Sequence, residues 1–225
     1  MTPIQNSSWQ QPESGNSAEN LLGEVYRLLE ELGSLDGLGA LSAVTSSLQV
    51  QRVDTLPALK IFLQNYLEQI LLPLELPAIA RARTHALRSE VREMIAFDQQ
   101  LAGEPLWLAF TSASQRVGRS QLERLRPLRD QRVVQRYLAA VECGQARGWH
   151  TIVYGLTLAI YSLPLRQSLI HYAEQTLRGF ASAAARQQKF SEMACAEILE
   201  NLSTRLPAAI EEILASTEQS ELVIR

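Results

Sequence analysis

Across its centre this chain places glycine, alanine and serine where an ordinary amphipathic helix would place leucine. Three segments show it: Ser112-Ala113-Ser114-Gln115-Arg116-Val117-Gly118-Arg119, Gly148-Trp149-His150-Thr151-Ile152-Val153-Tyr154-Gly155, and Leu177-Arg178-Gly179-Phe180-Ala181-Ser182-Ala183-Ala184-Ala185-Arg186. Small residues on a helix face let two backbones approach closely. The segments therefore predict tightly crossing helices rather than catalytic loops.

Composition fits such a framework. The 225 residues are 46% hydrophobic but only 6% aromatic, with leucine and alanine supplying most of the apolar content. Both are good helix formers, and no segment shows convincing strand-like alternation. The expectation is an all-α, single-domain helical bundle of about eight to ten helices. A polar leader over 1–17, rich in Gln, Ser, Asn and Pro, is expected to be disordered. The domain should occupy 18–215, with 216–225 as a flexible tail.

A formal charge of -3 is too small to indicate nucleic acid or a strongly charged surface as the general partner. The apolar run Trp149–Leu163 stops at Pro164, short of the ~20 residues that span a bilayer, so it is expected to be a core helix of a soluble, cytoplasmic protein. Cys143 and Cys195 lie far apart without C-x-x-C spacing. Reduced, buried thiols are the expectation.

Helix boundaries follow from caps and breakers. A first helix after Ser17 carries Leu21, Leu22, Val25, Leu28, Leu29 and Leu32 and ends at Gly33, and a loop then leads into a short helix through Leu48. Asp54 or Thr55 caps the next helix, with Pro57 in its first turn and a broad apolar face from Leu59 to Leu71. Pro73 and Pro77 are expected to punctuate the chain before a long helix over 78–101. Pro105 then opens a helix to about Val117, a short helix follows over 119–128, and Asp130 caps a helix over 133–146. Gly144 and Gly148 mark a boundary. Pro164 begins a helix to Gln187, and a final helix covers 191–215.

Candidate chemistry is sparse. His85, His150 and His171 lack the i,i+3 or i,i+4 spacing that holds a metal from one helix, so core or surface roles are expected, although one histidine per subunit could bridge a metal across a dimer axis. There is no G-x-S-x-G elbow and no G-x-x-x-x-G-K-[ST] phosphate loop. A non-enzymatic protein is the expectation, and a small-molecule regulator or enzyme would need a polar pocket around His150, His171 or Arg178.

Charge is unevenly distributed. Arg116, Arg119, Arg124, Arg126, Arg129, Arg132 and Arg136 face only Glu123 and Asp130 in their segment, whereas from Glu192 onward seven glutamates face Arg205 and Arg225. Solvated faces or mutual ion pairs would account for this, and so would a docking surface for a charged protein. The arginines lack the interleaved aromatics or helix-turn-helix context of a nucleic-acid surface.

Taken in order, the segments resemble the UreF family of urease accessory proteins. The family's A-S and G-R pairs are matched by Ala113-Ser114 and Gly118-Arg119, and its Gly-His stretch with an aromatic-Gly pair by Gly148-Trp149-His150 and Tyr154-Gly155. Ala184-Ala185-Arg186 resembles the end of its small-residue late helix, and Leu59-Lys60-Ile61-Phe62-Leu63 its first well-formed amphipathic helix. The likeness runs from about Val25 to Leu214. It departs at Thr111, where the family has arginine, at Trp149, in the histidine position, and at Lys189-Phe190-Ser191-Glu192, where the family has P-L-G-Q.

The resemblance implies an all-α homodimer that acts as a protein-binding chaperone in urease maturation. It implies recruitment of UreD (UreH) and the GTPase UreG for nickel insertion into apo-urease. No resident cofactor, nucleic acid or membrane is implied, and nickel would be handled transiently at most. Arg116, Arg119, Tyr154 and Arg186 are the partner-binding candidates that follow. The alternative is a divergent UreF-like interaction scaffold without a urease role.

Overall fold

A computed structural model describes residues 53–103 and 111–223, whose regular secondary structure is all helical, with no strand among them. The first two helices expected from the sequence lie outside the described residues, as does the Pro105 turn. In chain order the α-helices are α1 (Leu56–Tyr66), α2 (Leu76–Leu87), α3 (Val91–Leu101), α4 (Thr111–Leu125), α5 (Arg132–Glu142), α6 (His150–Ile160), α7 (Leu165–Gln188), α8 (Glu192–Ser203) and α9 (Leu206–Val223), and a π-helical segment, Leu67–Glu75, joins α1 to α2.

Thr55 caps α1 as expected, its Oγ1 accepting from the Ala58 N–H at 3.3 Å, with Pro57 in the first turn. Pro73 and Pro77 do not punctuate the chain, and helical structure runs unbroken from Leu56 to Leu87. A proline in an α-helix removes one hydrogen bond and crowds the carbonyl four residues earlier. The wider π turn relieves both, and the Leu76 N–H reaches back five residues to the Leu71 carbonyl. Pro77 then sits in the first turn of α2, where no N–H is needed.

The break instead falls at Ser89, whose φ of +56° ends α2 and splits the expected 78–101 helix in two. Conversely, α4 runs straight through 117–119, so the two helices expected there are one. The N-cap of α5 is Gln131, not Asp130, and it makes no side-chain cap bond. The expected final helix divides at Thr204–Arg205, and α9 continues past Ala215 to Val223. These shifts alter the expected count as well as the boundaries.

At the centre lies α6. Every residue from Trp149 to Ala159 is buried, and no acid, lysine or arginine interrupts the run. The Thr157 hydroxyl is satisfied by the Val153 carbonyl at 2.7 Å. One core lies on each side. Tyr154 and Leu158 join Leu59, Leu63, Leu67, Leu169, Leu177 and Phe180 in the first. Ile152, Val153 and Leu156 join Met94, Leu122, Val134, Tyr137 and Trp149 in the second. Its most extensive partners are α2 and α4.

Two glycines permit those crossings. A Cβ on Gly155 would stand 2.5 Å from the Ile79 carbonyl oxygen and 3.0 Å from the Arg83 nitrogen of α2. One on Gly118 would stand 2.1 Å from the Gly148 carbonyl oxygen and 2.8 Å from the His150 nitrogen. The obstructing atoms are backbone, which cannot rotate away. Gly148 has φ of +76°, and the turn it makes delivers the chain into α6.

Alanine favours an isolated helix over glycine by about 1 kcal/mol, so only steric overlap can make the exchange unfavourable. Gly118→Ala and Gly155→Ala should each cost about 3 kcal/mol net. Urea unfolding of the full chain measures this, and unchanged midpoints would mean that the helices do not approach as closely as described.

Candidate functional site

The entry to α6 is fixed by one carboxylate. Asp98, fully buried near the end of α3, accepts from the Tyr137 hydroxyl at 2.6 Å, from the backbone N–H of Arg147 at 2.5 Å and from that of Gly148 at 3.0 Å. The Trp149 N–H adds a longer contact at 3.5 Å, and the Trp149 indole Nε1–H donates to the Asp98 carbonyl at 3.0 Å. A carboxylate beside N–H groups at a helix start is favoured by the helix dipole as well as by the bonds themselves. Desolvation by burial, reinforced by the neighbouring Asp98 carboxylate, holds the Tyr137 phenol well above its ordinary pKa. Trp149 is thus a buried structural donor.

From this start the chain turns His150 inward. Its ring stacks on Tyr172 of α7 at 5.5 Å and lies 6.4 Å from Tyr154, while its backbone N–H donates to Ser114 Oγ at 3.2 Å. Burial of the imidazole pushes its pKa down to about 3, and its Nε2 has no hydrogen-bond partner among the described residues. The Tyr172 hydroxyl continues the cluster by donating to Glu75 at 3.2 Å, and the Tyr66 hydroxyl donates to the other oxygen at 2.9 Å. Desolvation raises the Glu75 pKa to about 7 against the opposing effect of these two bonds. The same burial and the neighbouring carboxylate push both tyrosines well above 10.

The histidines are not brought together. His85 on α2 is held by Glu90 at 2.8 Å, His150 is in the core, and His171 is partly buried on α7. No group of three or more His, Cys, Asp or Glu residues suited to a metal occurs among the described residues. Cys195 is buried, but Cys143 is exposed, contrary to the expectation of two buried thiols, because α5 ends there and the turn carries it to the surface. No helix among the described residues is long and apolar enough to cross a membrane.

An arginine-rich edge lies over the start of α6. Arg116 and Arg119, one turn apart on α4, are both exposed, and Arg119 Nε donates to the Arg147 carbonyl at 3.4 Å. Arg126 is held by Glu123 at 2.6 Å and Glu142 at 2.5 Å. Arg129, Arg132, Arg136 and Arg147 are exposed. Tyr154 is not part of this edge: only 4% exposed, it packs 5.2 Å from the Tyr172 ring, and burial raises its hydroxyl to about 12. The helical spacing that puts it beside Gly155 turns it into the core. Arg186 belongs to α7, and its side chain lies outside the described residues.

These features fall within one family signature, since the UreF model matches residues 53–203, from just before α1 to the end of α8. The chain belongs to the UreF family. UreF proteins are urease accessory proteins, and membership gives the chain an accessory role in that general sense. No curated protein and no solved structure matches it. In this UreF protein the Gly118-Arg119 and Gly148-Trp149-His150 motifs are one contact, the crossing of α4 over the start of α6.

Sequence reasoning missed Asp98 and the Glu75–Tyr66–Tyr172 cluster. A lone glutamate in Leu71-Leu72-Pro73-Leu74-Glu75-Leu76 was the available signal, because a carboxyl among leucines is either exposed or held by buried donors.

The two buried groups act in opposite directions on stability. Glu75 titrates near 7 folded against 4.5 unfolded, so the folded state holds the extra proton and stability falls as pH rises from about 4.5 past 7, by on the order of 3 kcal/mol. His150 titrates near 3 folded against 6.5 unfolded, so the unfolded state takes up the proton and stability falls as pH drops below about 6.5, by on the order of 5 kcal/mol by pH 3. Glu75→Gln should flatten the first limb and His150→Gln the second in urea unfolding series across pH 3–8. Parallel curves for wild type and variant would reject the assignment.

Asp98→Ala would leave Tyr137 and the Arg147 and Gly148 amides without their acceptor and should cost about 3–5 kcal/mol, against about 1–2 kcal/mol for Tyr137→Phe. The same unfolding assay gives both values, and equal losses would place the role in the phenol rather than the carboxylate.

Proposed function

We propose that this protein serves urease maturation as a non-catalytic, homodimeric binding factor that recruits a UreD (UreH)-type protein and the GTPase UreG for nickel insertion into apo-urease. Family membership over residues 53–203 is the observation that carries this reading. The described residues support it in kind. Their buried polar groups, Asp98, Glu75 and His150, are spent on holding helices together, and the exposed groups are charged side chains suited to protein recognition.

The partner surface we assign is the arginine edge, with Arg116 and Arg119 at its centre and Arg186 as a further candidate. Both α4 arginines sit on the helix that Gly118 locks against α6, so their positions are fixed by backbone contact. Preorganised charges steer an acidic partner and lose little entropy on docking. Nickel in this scheme is cargo of the assembled complex, and the chain acts in the cytoplasm.

Charge reversal tests the surface. Arg116→Glu with Arg119→Glu should reduce co-purification with a UreD-type protein by 10-fold or more and lower urease nickel content, while leaving the helical circular dichroism spectrum intact. Full nickel loading of urease in a strain lacking this gene would refute the maturation role and leave the scaffold alternative.

A further inference from the structure

The face carrying α7 and α8 holds a feature that the arginine edge does not use. Between the two helices runs a groove of about 810 Å³, floored by Ala181, Ala185, Phe190, Cys195, Ala196 and Leu199. It exists because α7 and α8 present small side chains to each other, so the helices pack while leaving space between them. Glu174, Glu192, Glu200 and Arg178 form its rim, and none of the four makes an ion pair among the described residues. Three carboxylates against one guanidinium make the described rim net acidic. On the α8 side, three residues before Ala196, Met193 is 81% exposed and extends the apolar strip outward. An exposed, flexible methionine beside a groove is a common means of gripping a partner's apolar side chain.

Length and charge together select the occupant. Along α7 the groove runs from Glu174 to Ala185, roughly 16 Å, or about three helical turns. Its lining residues repeat at helical spacing on both walls, the geometry that receives an amphipathic helix through i, i+3/i+4 and i+7 anchors. The carboxylates stand on both walls, Glu174 on α7 and Glu192 and Glu200 on α8. From these observations we infer that the α7–α8 groove docks a basic amphipathic helix of a partner protein, its apolar face on Ala181, Ala185 and Leu199 and its lysines or arginines on the glutamate rim. This deepens the accessory reading and rests on it for the existence of a partner. The site differs in sign from the arginine edge, so it takes a chemically different segment.

The test uses the full chain and a labelled 14-residue synthetic helix with leucine at i, i+3, i+4 and i+7 and lysine elsewhere, followed by fluorescence anisotropy. Glu192→Lys with Glu200→Lys should weaken binding at least 10-fold, and Ala196→Trp, which fills the groove from an exposed position, should do the same. Glu197→Lys with Glu212→Lys, the same charge change away from the groove, should change it less than twofold. A matching peptide with glutamate for lysine should not bind. Equal losses from both charge reversals, or binding of both peptides, would overturn the site. A photo-crosslinker at Met193, with the urease accessory proteins co-expressed, supplies the partner. A cross-link in a Lys/Arg-rich amphipathic segment of another protein supports the inference, whereas a cross-link to a second copy of this chain, to an acidic segment, or to nothing overturns it. Urease loading in the deletion strain is read separately, so failure of the accessory role and failure of the groove give different patterns.

Discussion

Two backbones can approach to within bonding distance of each other's peptide groups only where no Cβ intervenes, and α6 meets this condition on two sides. Gly155 admits α2, and Gly118 on α4 admits the start of α6. With both contacts made, α6 has no free face, and its composition follows: every residue from Trp149 to Ala159 is buried. The two cores are built outward from this axis, one toward α1, α7, α8 and α9 and the other toward α3, α4 and α5. A chain without these glycines would have to separate its helices by the width of a side chain, and both cores would lose their common wall.

An axis so enclosed still carries polar groups that require partners. The first turn of a helix exposes N–H groups with no internal acceptor, and at α6 these groups lie buried, so that they require partners from the protein. Asp98 meets this need from α3, and Tyr137 from α5 meets the carboxylate, so one side chain ties three elements at the point where the chain enters its centre. Glu75 does comparable work on the other side, joining the π-helical segment to α1 through Tyr66 and to α7 through Tyr172. The two carboxyls differ in their donors. Asp98 faces backbone amides at a helix start as well as a phenol, whereas Glu75 faces two phenols alone, and its pKa is raised to about 7. The protonation of Glu75 therefore changes near neutral pH.

What could be read in the sequence was set by range. Gly118 and Gly155 announced close packing, Thr55 and Pro57 announced a helix start, and Gly144 and Gly148 announced a turn, because each acts within a few residues of itself. Pro73 misled for the same reason. Locally it is a breaker, and only the π turn that re-registers the backbone makes it tolerable. Ser89 gave no warning, since a serine with φ of +56° is held there by the packing of α2 and α3 rather than by its own preference. At the candidate site, the exposed arginines were legible as a charge excess, but the inward turn of Tyr154 and the pairing of Asp98 with residues about fifty positions later were not. Those depend on which face of a helix meets which neighbour.

A rigid axis also dictates where recognition can occur. Since α6 is buried from His150 to Ala159, the charged side chains exposed among the described residues belong to the outer helices and their connections, and these carry opposite charge in different regions. Arginines cluster on α4, α5 and their connection, and glutamates on α8 and the first half of α9. Charge segregated in this way on one framework weakens the chain's electrostatic attraction for itself within the fold but keeps it available to others, because the cost of holding like charges together is recovered only when a complementary surface arrives. That arrangement suits an accessory role. Surfaces of opposite sign favour chemically different segments. The glycine-locked axis fixes how the helices that carry the two charged regions stand relative to each other.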